Sequence, residues 1–313
     1  MKLEKKPWNG GRIGVVGAGP AGITIAILMA CRGYRVTIFE VREKIGGILR
    51  YGIPEFRLPK SILDRYDKKM KELGIRFRPN FALGGSTGVH DLLEDGYNAV
   101  FIGTGTWRPY RLNIPGETFG NVHYGINYLN NPDVYDLGDR VVVIGAGNAA
   151  MDVARTAIRK GSRYVTVYSV TEVPAASPKE VEYARIDGVE FEFLQTASRI
   201  TDDGVMICDV EWDENGQMVK HEETERFVPA DSIIISISQG PQDRIVNRDK
   251  ELKVDERGLL KTNEKGETTM KGIFASGDVV TGAKTVVEAV KCSKMIADAM
   301  DEYVKASFSS KKV

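Results

Sequence analysis

Residues 12–22, RIGVVGAGPAG, decide the fold of this chain. An apolar run from Arg12 ends at Gly17, and Gly17-Ala18-Gly19-Pro20-Ala21-Gly22 spaces three glycines as GxGxxG. From Pro20 to Gly33 the apolar residues fall on every side of a helix. The pattern predicts a strand, a tight turn and a helix buried all round. A second strand, Arg35 to Glu40 (RVTIFE), ends in an acid 23 residues beyond Gly17. Strands alternating with helices imply a parallel sheet covered on both faces. Glycine permits the turn and the close approach of a pyrophosphate. The helix N-terminus offers unpaired N–H groups and a positive dipole, and Glu40 can accept ribose hydroxyls.

Further along, Pro59 to Leu73 reads as a helix with Ile62, Leu63, Tyr66, Met70 and Leu73 on one side, and Ala99 to Gly105 (AVFIGTG) as a buried strand. At Arg140 the grammar restarts. Val141 to Gly145 is a strand, Gly145-Ala146-Gly147-Asn148-Ala149-Ala150 is GxGxxA, Asn148 to Lys160 a helix and Tyr164 to Tyr168 a strand. Residues 190–228 alternate, with Asn215-Gly216 as a hairpin turn, so an antiparallel excursion is expected there. Ile233 to Ile237 and Ile273 to Ala275 are buried strands, and a last helix runs from about Thr285 to Val304 before a polar, frayed tail, Lys305 to Val313. The predicted fold is α/β, with two nested Rossmann-like dinucleotide-binding domains. Residues 1–106 and 241–313 form one domain, and 107–240 are inserted in it. The crossings, Thr106 to Pro109 and Ser238 to Pro241, contain Pro or Gly as hinges often do.

Length agrees, since 313 residues at about 150 per domain make two domains. With 42% hydrophobic and 27% charged residues the chain can build real cores, which excludes wholesale disorder. Its formal charge of zero gives no electrostatic footprint for nucleic acid or an anionic membrane. The longest apolar run, Ile23 to Cys31, is under half of the ~20 residues a membrane span needs, and no apolar signal region precedes Arg12, so a cytoplasmic protein is expected. Cys31, Cys208 and Cys292 form neither a CxxC nor a metal-ligand spacing, so no structural zinc or chain-borne iron–sulphur cluster is expected.

Two dinucleotide folds, with Gly46-Gly47 just after Glu40 and a late Gly277-Asp278, resemble the flavoproteins that pair FAD with a nicotinamide dinucleotide. The segment Gly46 to Lys60, GGILRYGIPEFRLPK, looks like the signature of the glutamate synthase small (β) subunit family. The FAD/NADPH module of dihydropyrimidine dehydrogenase and the large subunit of bifurcating ferredoxin:NADP transhydrogenases share it. The resemblance runs from about Arg12 to Tyr303. It implies an FAD-dependent NAD(P)H oxidoreductase whose FAD site takes Gly17, Gly19, Pro20, Ala21 and Gly22 from the first turn, and Glu40 and Val41 from the second strand end. Gly46, Gly47, Ile48, Leu49 and Arg57 come from the signature, Leu83, Thr104 and Gly105 from the middle, and Gly277, Asp278, Thr285 and Val286 from the end. A guanidinium at Arg57 would stabilise negative charge on a reduced flavin or its phosphates. Asp278 would hold a ribityl hydroxyl. The nicotinamide dinucleotide would meet Gly145, Gly147, Asn148, Ala149, Ala150, Ser169, Val170, Ser238 and Gln239.

Three departures from the family refine the expectation. Family members carry a Cys-rich iron–sulphur domain before the FAD turn. Here that turn begins at Gly17 with three cysteines in the whole chain, so electrons are expected to pass to a separate iron–sulphur partner subunit or a ferredoxin-like acceptor. In NADPH-using relatives a basic pair ends the strand after the second turn. Ser169 and Val170 stand there, and nothing basic follows until Lys179, which favours NADH unless a lysine from elsewhere serves NADPH. Ser238 occupies a position where glycine is usual before Gln239, and Cys292-Ser293 interrupts a small-residue helix start. No dithiol is present to take hydride from a flavin, and His90, His123 and His221 have no triad or metal partners in sequence. Hydride transfer between stacked rings needs no side-chain acid or base, only a hinge motion near the two crossings to bring the rings together. Three readings remain: an electron-input subunit, a self-sufficient reductase of ferredoxin, quinone or a small acceptor, and a non-enzymatic nucleotide-binding subunit.

Overall fold

The computed structural model describes residues 4–310. They divide into two compact units: Tyr51–Pro54 and Pro109–Ser238 form the second, and the remaining described residues form the first. The four residues Tyr51–Pro54 lie within the stretch that sequence assigned wholly to the first domain. No change of hydrophobic period marks them.

In the first unit five parallel strands lie in the order Ile273–Ala275, Ala99–Ile102, Arg12–Val16, Arg35–Phe39, Arg76–Arg78. The central strands are buried along almost their whole length, as a sheet with both faces covered requires. The helix Pro20–Cys31 packs its apolar residues between sheet and last helix, which explains its lack of a polar side. The helix Ser61–Glu72 buries Leu63 and Met70, but Tyr66, predicted on the apolar side, is exposed. The last helix, Val286–Ser310, corrects the frayed tail: residues 305–310 continue it. Lys305 bonds Asp301 one turn back at 2.9 Å, Ser307 Oγ donates to the Val304 carbonyl, and Phe308 packs on the core. Lys311 to Val313 lie outside the described residues.

The second unit repeats the design with parallel strands in the order Val122–Tyr124, Ser232–Ile235, Arg140–Ile144, Tyr164–Ser169, Glu190–Phe193. The expected antiparallel excursion is a three-stranded arm, Gln195–Thr201, Gly204–Trp212 and Met218–Pro229. It begins later than predicted, because Glu190–Phe193 extends the parallel sheet. The hairpin falls at Asn215-Gly216 as expected: Asp213 Oδ1 accepts from the Asn215 and Gln217 N–H groups, and Gly216 has φ +72°. Among the described residues, no helix is long and apolar enough to cross a membrane.

Helix Asn148–Arg159 is fastened to helix Pro178–Ile186 and its end by charge. The largely buried Arg155 bonds Glu180 at 3.3 Å and Asp187 at 2.9 Å, and Arg159 reaches Asp187 at 2.9 Å. Burial pushes the Asp187 carboxyl up, but the hydrogen bonds and charges of Arg155 and Arg159 outweigh it and hold the group below its ordinary value. The unfolded chain therefore binds the proton more readily, so this contribution to stability is present at neutral pH and is lost as pH falls through the folded-state value. Asp187→Asn is expected to destabilise the second unit by about 2–3 kcal/mol at pH 7. Thermal melts would show the gap between variant and parent closing below roughly pH 4. A gap that widens in acid would contradict this account.

Candidate functional site

A cavity of about 380 Å³ lies in the first unit at the carboxyl ends of its strands. Open parallel sheets place ligands there, outside the strand ends. Its floor is the first glycine turn. Gly17 has φ +98°, and a Cβ on it would lie 2.6 Å from the Gly103 carbonyl oxygen. A Cβ on Gly22 would overlap the carbonyl oxygen of Gly17 itself. Gly47, at φ +52°, crosses the turn so closely that a Cβ would stand 2.7 Å from Gly19 Cα, and the Gly46 N–H donates to the Ala18 carbonyl at 2.8 Å. Backbone thus lies on backbone, and side chains are kept away from the place where an extended diphosphate would lie.

Glu40, 6% exposed, ties the turn to the second strand. Its Oε2 accepts the Ala18 N–H at 2.6 Å and its Oε1 the Arg42 N–H at 2.9 Å. Burial pushes its carboxyl up, and those backbone bonds oppose the shift. The Val41 N–H also bonds the carboxylate, whose two oxygens together still have acceptor capacity for a further donor. Asp278 follows Gly277 (φ +76°) at the opposite wall. Burial pushes its carboxyl up against the Lys284 N–H bond, and the charge of Glu288 adds to the rise. The last helix opens beside it on a reciprocal cap, in which the Glu288 N–H donates to Thr285 Oγ1 and the Thr285 N–H to the Glu288 carboxylate at 3.0 Å. Those bonds from Thr285 hold the Glu288 carboxyl down.

Of the residues predicted from sequence, the cavity is lined by Gly17, Gly19, Pro20 and Ala21, by Glu40, Val41, Gly47 and Ile48, by Leu83, Thr104 and Gly105, and by Gly277, Asp278, Thr285 and Val286. Gly22 and Gly46 stand behind the turn as its steric supports, while Leu49 and Arg57 are not among the lining residues. The motif reading missed Trp107, whose indole N–H donates to the Thr104 carbonyl at 3.0 Å, and Arg42, which lies 5.2 Å over the Trp107 ring. Phe81, Arg244 and Lys284 also line the wall. No spacing rule marks these residues, because tertiary packing alone assembles them.

The second unit carries the second turn. Gly145 has φ +112°, and a Cβ on it would collide with the Ser236 carbonyl. Around Gly147 the space is open, with nothing within 4 Å of a Cβ. Asn148 Oδ1 accepts the Ser177 N–H at 3.0 Å, and Ala149 is exposed where Ala150 is buried. At the neighbouring strand end the buried Ser169 bonds Thr171 through its Oγ, and the Val170 carbonyl accepts Trp212 Nε1 at 2.7 Å. Lys179 lies 5.5 Å over the Tyr183 ring, so it is already engaged. Ser238, with φ +81°, sits in a region that glycine adopts freely, just before Gln239 where the chain leaves this unit.

The three cysteines are free thiols, and burial pushes Cys31 and Cys208 up, away from the reactive thiolate form. Among the described residues no group of three or more His, Cys, Asp or Glu is placed to hold a metal. His90 lies on the short helix Val89–Glu94 and His221 on a strand of the antiparallel arm; His123 meets the Tyr135 ring edge-on, and burial lowers its pKa.

A model of the pyridine nucleotide-disulphide oxidoreductase family matches residues 11–293. The glutamate synthase [NADPH] small chain of Halomonas elongata is 34% identical over 96% of this chain and 70% of its own length. The NADP(+)-dependent formate dehydrogenase subunit beta of Moorella thermoacetica is also 34% identical over 96% of this chain, which spans only 45% of that protein. Among solved structures, FprA from Mycobacterium tuberculosis superimposes with a TM-score of 0.82 over 98% of this chain and 86% of its own, at 18% identity. That last likeness is one of fold.

Proposed function

The chain belongs to the pyridine nucleotide-disulphide oxidoreductase family and is an FAD-dependent NAD(P)H oxidoreductase, and from that premise we propose that it is an electron-input flavoprotein, preferring NADH and serving a separate iron–sulphur partner or ferredoxin-like acceptor. When bound, FAD and the reduced nicotinamide supply the hydride chemistry, and FAD also allows electrons to leave singly. The chain's own residues position and tune them. The observation that carries the FAD assignment is the contact of Gly17, Gly22 and Gly47 with neighbouring backbone under a cavity walled by Glu40 and Asp278. Glu40 keeps acceptor capacity for ribose hydroxyls, Asp278 for a polyol hydroxyl, and the last helix begins at Val286 on the cavity wall, at the positive end of its dipole. Phe81, Leu83 and Trp107 supply apolar surface to a wall that charged groups also line.

The second turn would hold the nicotinamide dinucleotide, with Ser169 and Val170 at the strand end offering no cation to a 2'-phosphate. An external acceptor is supported by the relatives, since a glutamate synthase small chain and a formate dehydrogenase β subunit are by name parts of larger enzymes. The separated, burial-raised thiols Cys31 and Cys208 are poor internal acceptors. Anaerobic titration of the FAD-loaded protein with NADH is expected to bleach the flavin's visible absorbance within seconds, and a one-electron ferredoxin-type carrier to restore it. A flavin that stays oxidised with both NADH and NADPH would sink the oxidoreductase reading. Bleaching followed by reoxidation only in air would sink the external carrier.

A further inference from the structure

The second unit carries a groove that the strand–turn–helix motif does not account for. Thr171 and Glu172, which follow the strand Tyr164–Ser169, line it together with Glu211, Trp212 and His221 of the antiparallel arm. Hydrogen bonds set this groove against the second glycine turn. The Gly145 N–H donates to the Tyr168 carbonyl at 2.9 Å, which fixes the strand end beside the turn. Two residues on, the Val170 carbonyl holds Trp212 Nε1 at 2.7 Å. The Ala176 N–H then bonds the Ala146 carbonyl at 2.9 Å, so the segment that lines the groove is tied to the turn at its far end as well.

The chemistry of the groove is specific. Trp212 is held by its polar edge yet remains 44% exposed. An indole fixed in that way is a stacking surface for a planar base. The charges beside it are negative. Glu172 and Glu211 both line the groove, and the His221 imidazole is engaged by Glu211 at 3.5 Å and Glu223 at 3.0 Å.

We propose that the antiparallel arm completes the adenosine end of the second dinucleotide site: Trp212 stacks the adenine, while Glu172 and Glu211 admit a ribose with a free 2'-hydroxyl and repel a 2'-phosphate. This rests on the reading that the Gly145 turn holds a nicotinamide dinucleotide. Selectivity then comes from a repulsive element on a remote strand as well as from the uncharged strand end.

Calorimetric titration of the FAD-loaded full chain with NAD+ and NADP+ tests it without turnover. Glu172→Lys is expected to shift the ratio of NADP+ to NAD+ affinity about tenfold or more toward NADP+. Trp212→Ala is expected to weaken both about tenfold, and Trp212→Phe, which keeps a ring, to recover most of that loss. An unchanged NAD+ to NADP+ ratio in Glu172→Lys, or parental affinity in a folded Trp212→Ala, would overturn the arm's role alone. A parent protein that binds neither nucleotide would overturn the underlying reading of the Gly145 turn as well.

Discussion

Gly22→Val is expected to give a protein that purifies without flavin, its FAD affinity lowered by two orders of magnitude or more. The reason is local. A Cβ at position 22 overlaps the Gly17 carbonyl oxygen, and Val15 Cγ1 stands 3.2 Å away on another side, so neither backbone nor neighbour can yield cheaply. Overpacking of this kind costs roughly 1–3 kcal/mol even where a core can adjust, and each 1.4 kcal/mol is about tenfold in binding. Relief requires the turn to open, and opening it moves Gly17 off Gly103 and Gly19 off Gly47. The floor of the cavity is therefore lost before the sheet is. The ratio of visible to ultraviolet absorbance in the purified variant measures the loss, and NAD+ calorimetry checks that the second unit survives. Normal flavin content in this variant would show that the turn does not hold the cofactor.

The second large effect is expected in nicotinamide choice. With Ser169 and Val170 in place of cations, kcat/KM for NADH should exceed that for NADPH by on the order of a hundredfold, because two absent charge-assisted bonds are worth about 1.5–3 kcal/mol each. Val170→Arg restores one of them at a partly exposed site and should move the ratio toward NADPH by at least about tenfold. The change should appear mainly in KM for NADPH, since the 2' position is remote from the reacting carbon and binds substrate and transition state alike. Stopped-flow bleaching with each nucleotide gives both ratios. A parent enzyme that uses NADPH faster, with Val170→Arg unchanged, would remove the case for NADH.

Much of this was legible in the sequence, for physical reasons that also mark its limits. The two glycine turns carry steric demands that no other residue meets, so Gly17, Gly22 and Gly145 could be read without a structure. The strands Arg76–Arg78, Val122–Tyr124 and Glu190–Phe193 were not legible as members of the parallel sheets. They are three or four residues long and include exposed or half-buried positions, so they lack the continuous apolar run that marks a central strand. Trp107 and Arg42 escaped because the contact between them joins segments far apart in the chain. Arg57 was singled out for its charge, and it is not among the residues that line the cavity.

The open space around Gly147 sets the two turns apart under mutation. Glycine at 17 and 22 answers to the protein's own backbone, so any replacement is punished as a folding defect whether or not a nucleotide is ever bound. At 147 no neighbouring atom imposes such a penalty. If selection for nicotinamide use were relaxed, a side chain could enter there by drift while the molecule kept its shape and its flavin. The chain is thus built so that its source of electrons can be silenced at no cost in stability, whereas a side chain in the flavin cradle strains the first unit's own backbone as well as emptying the cavity.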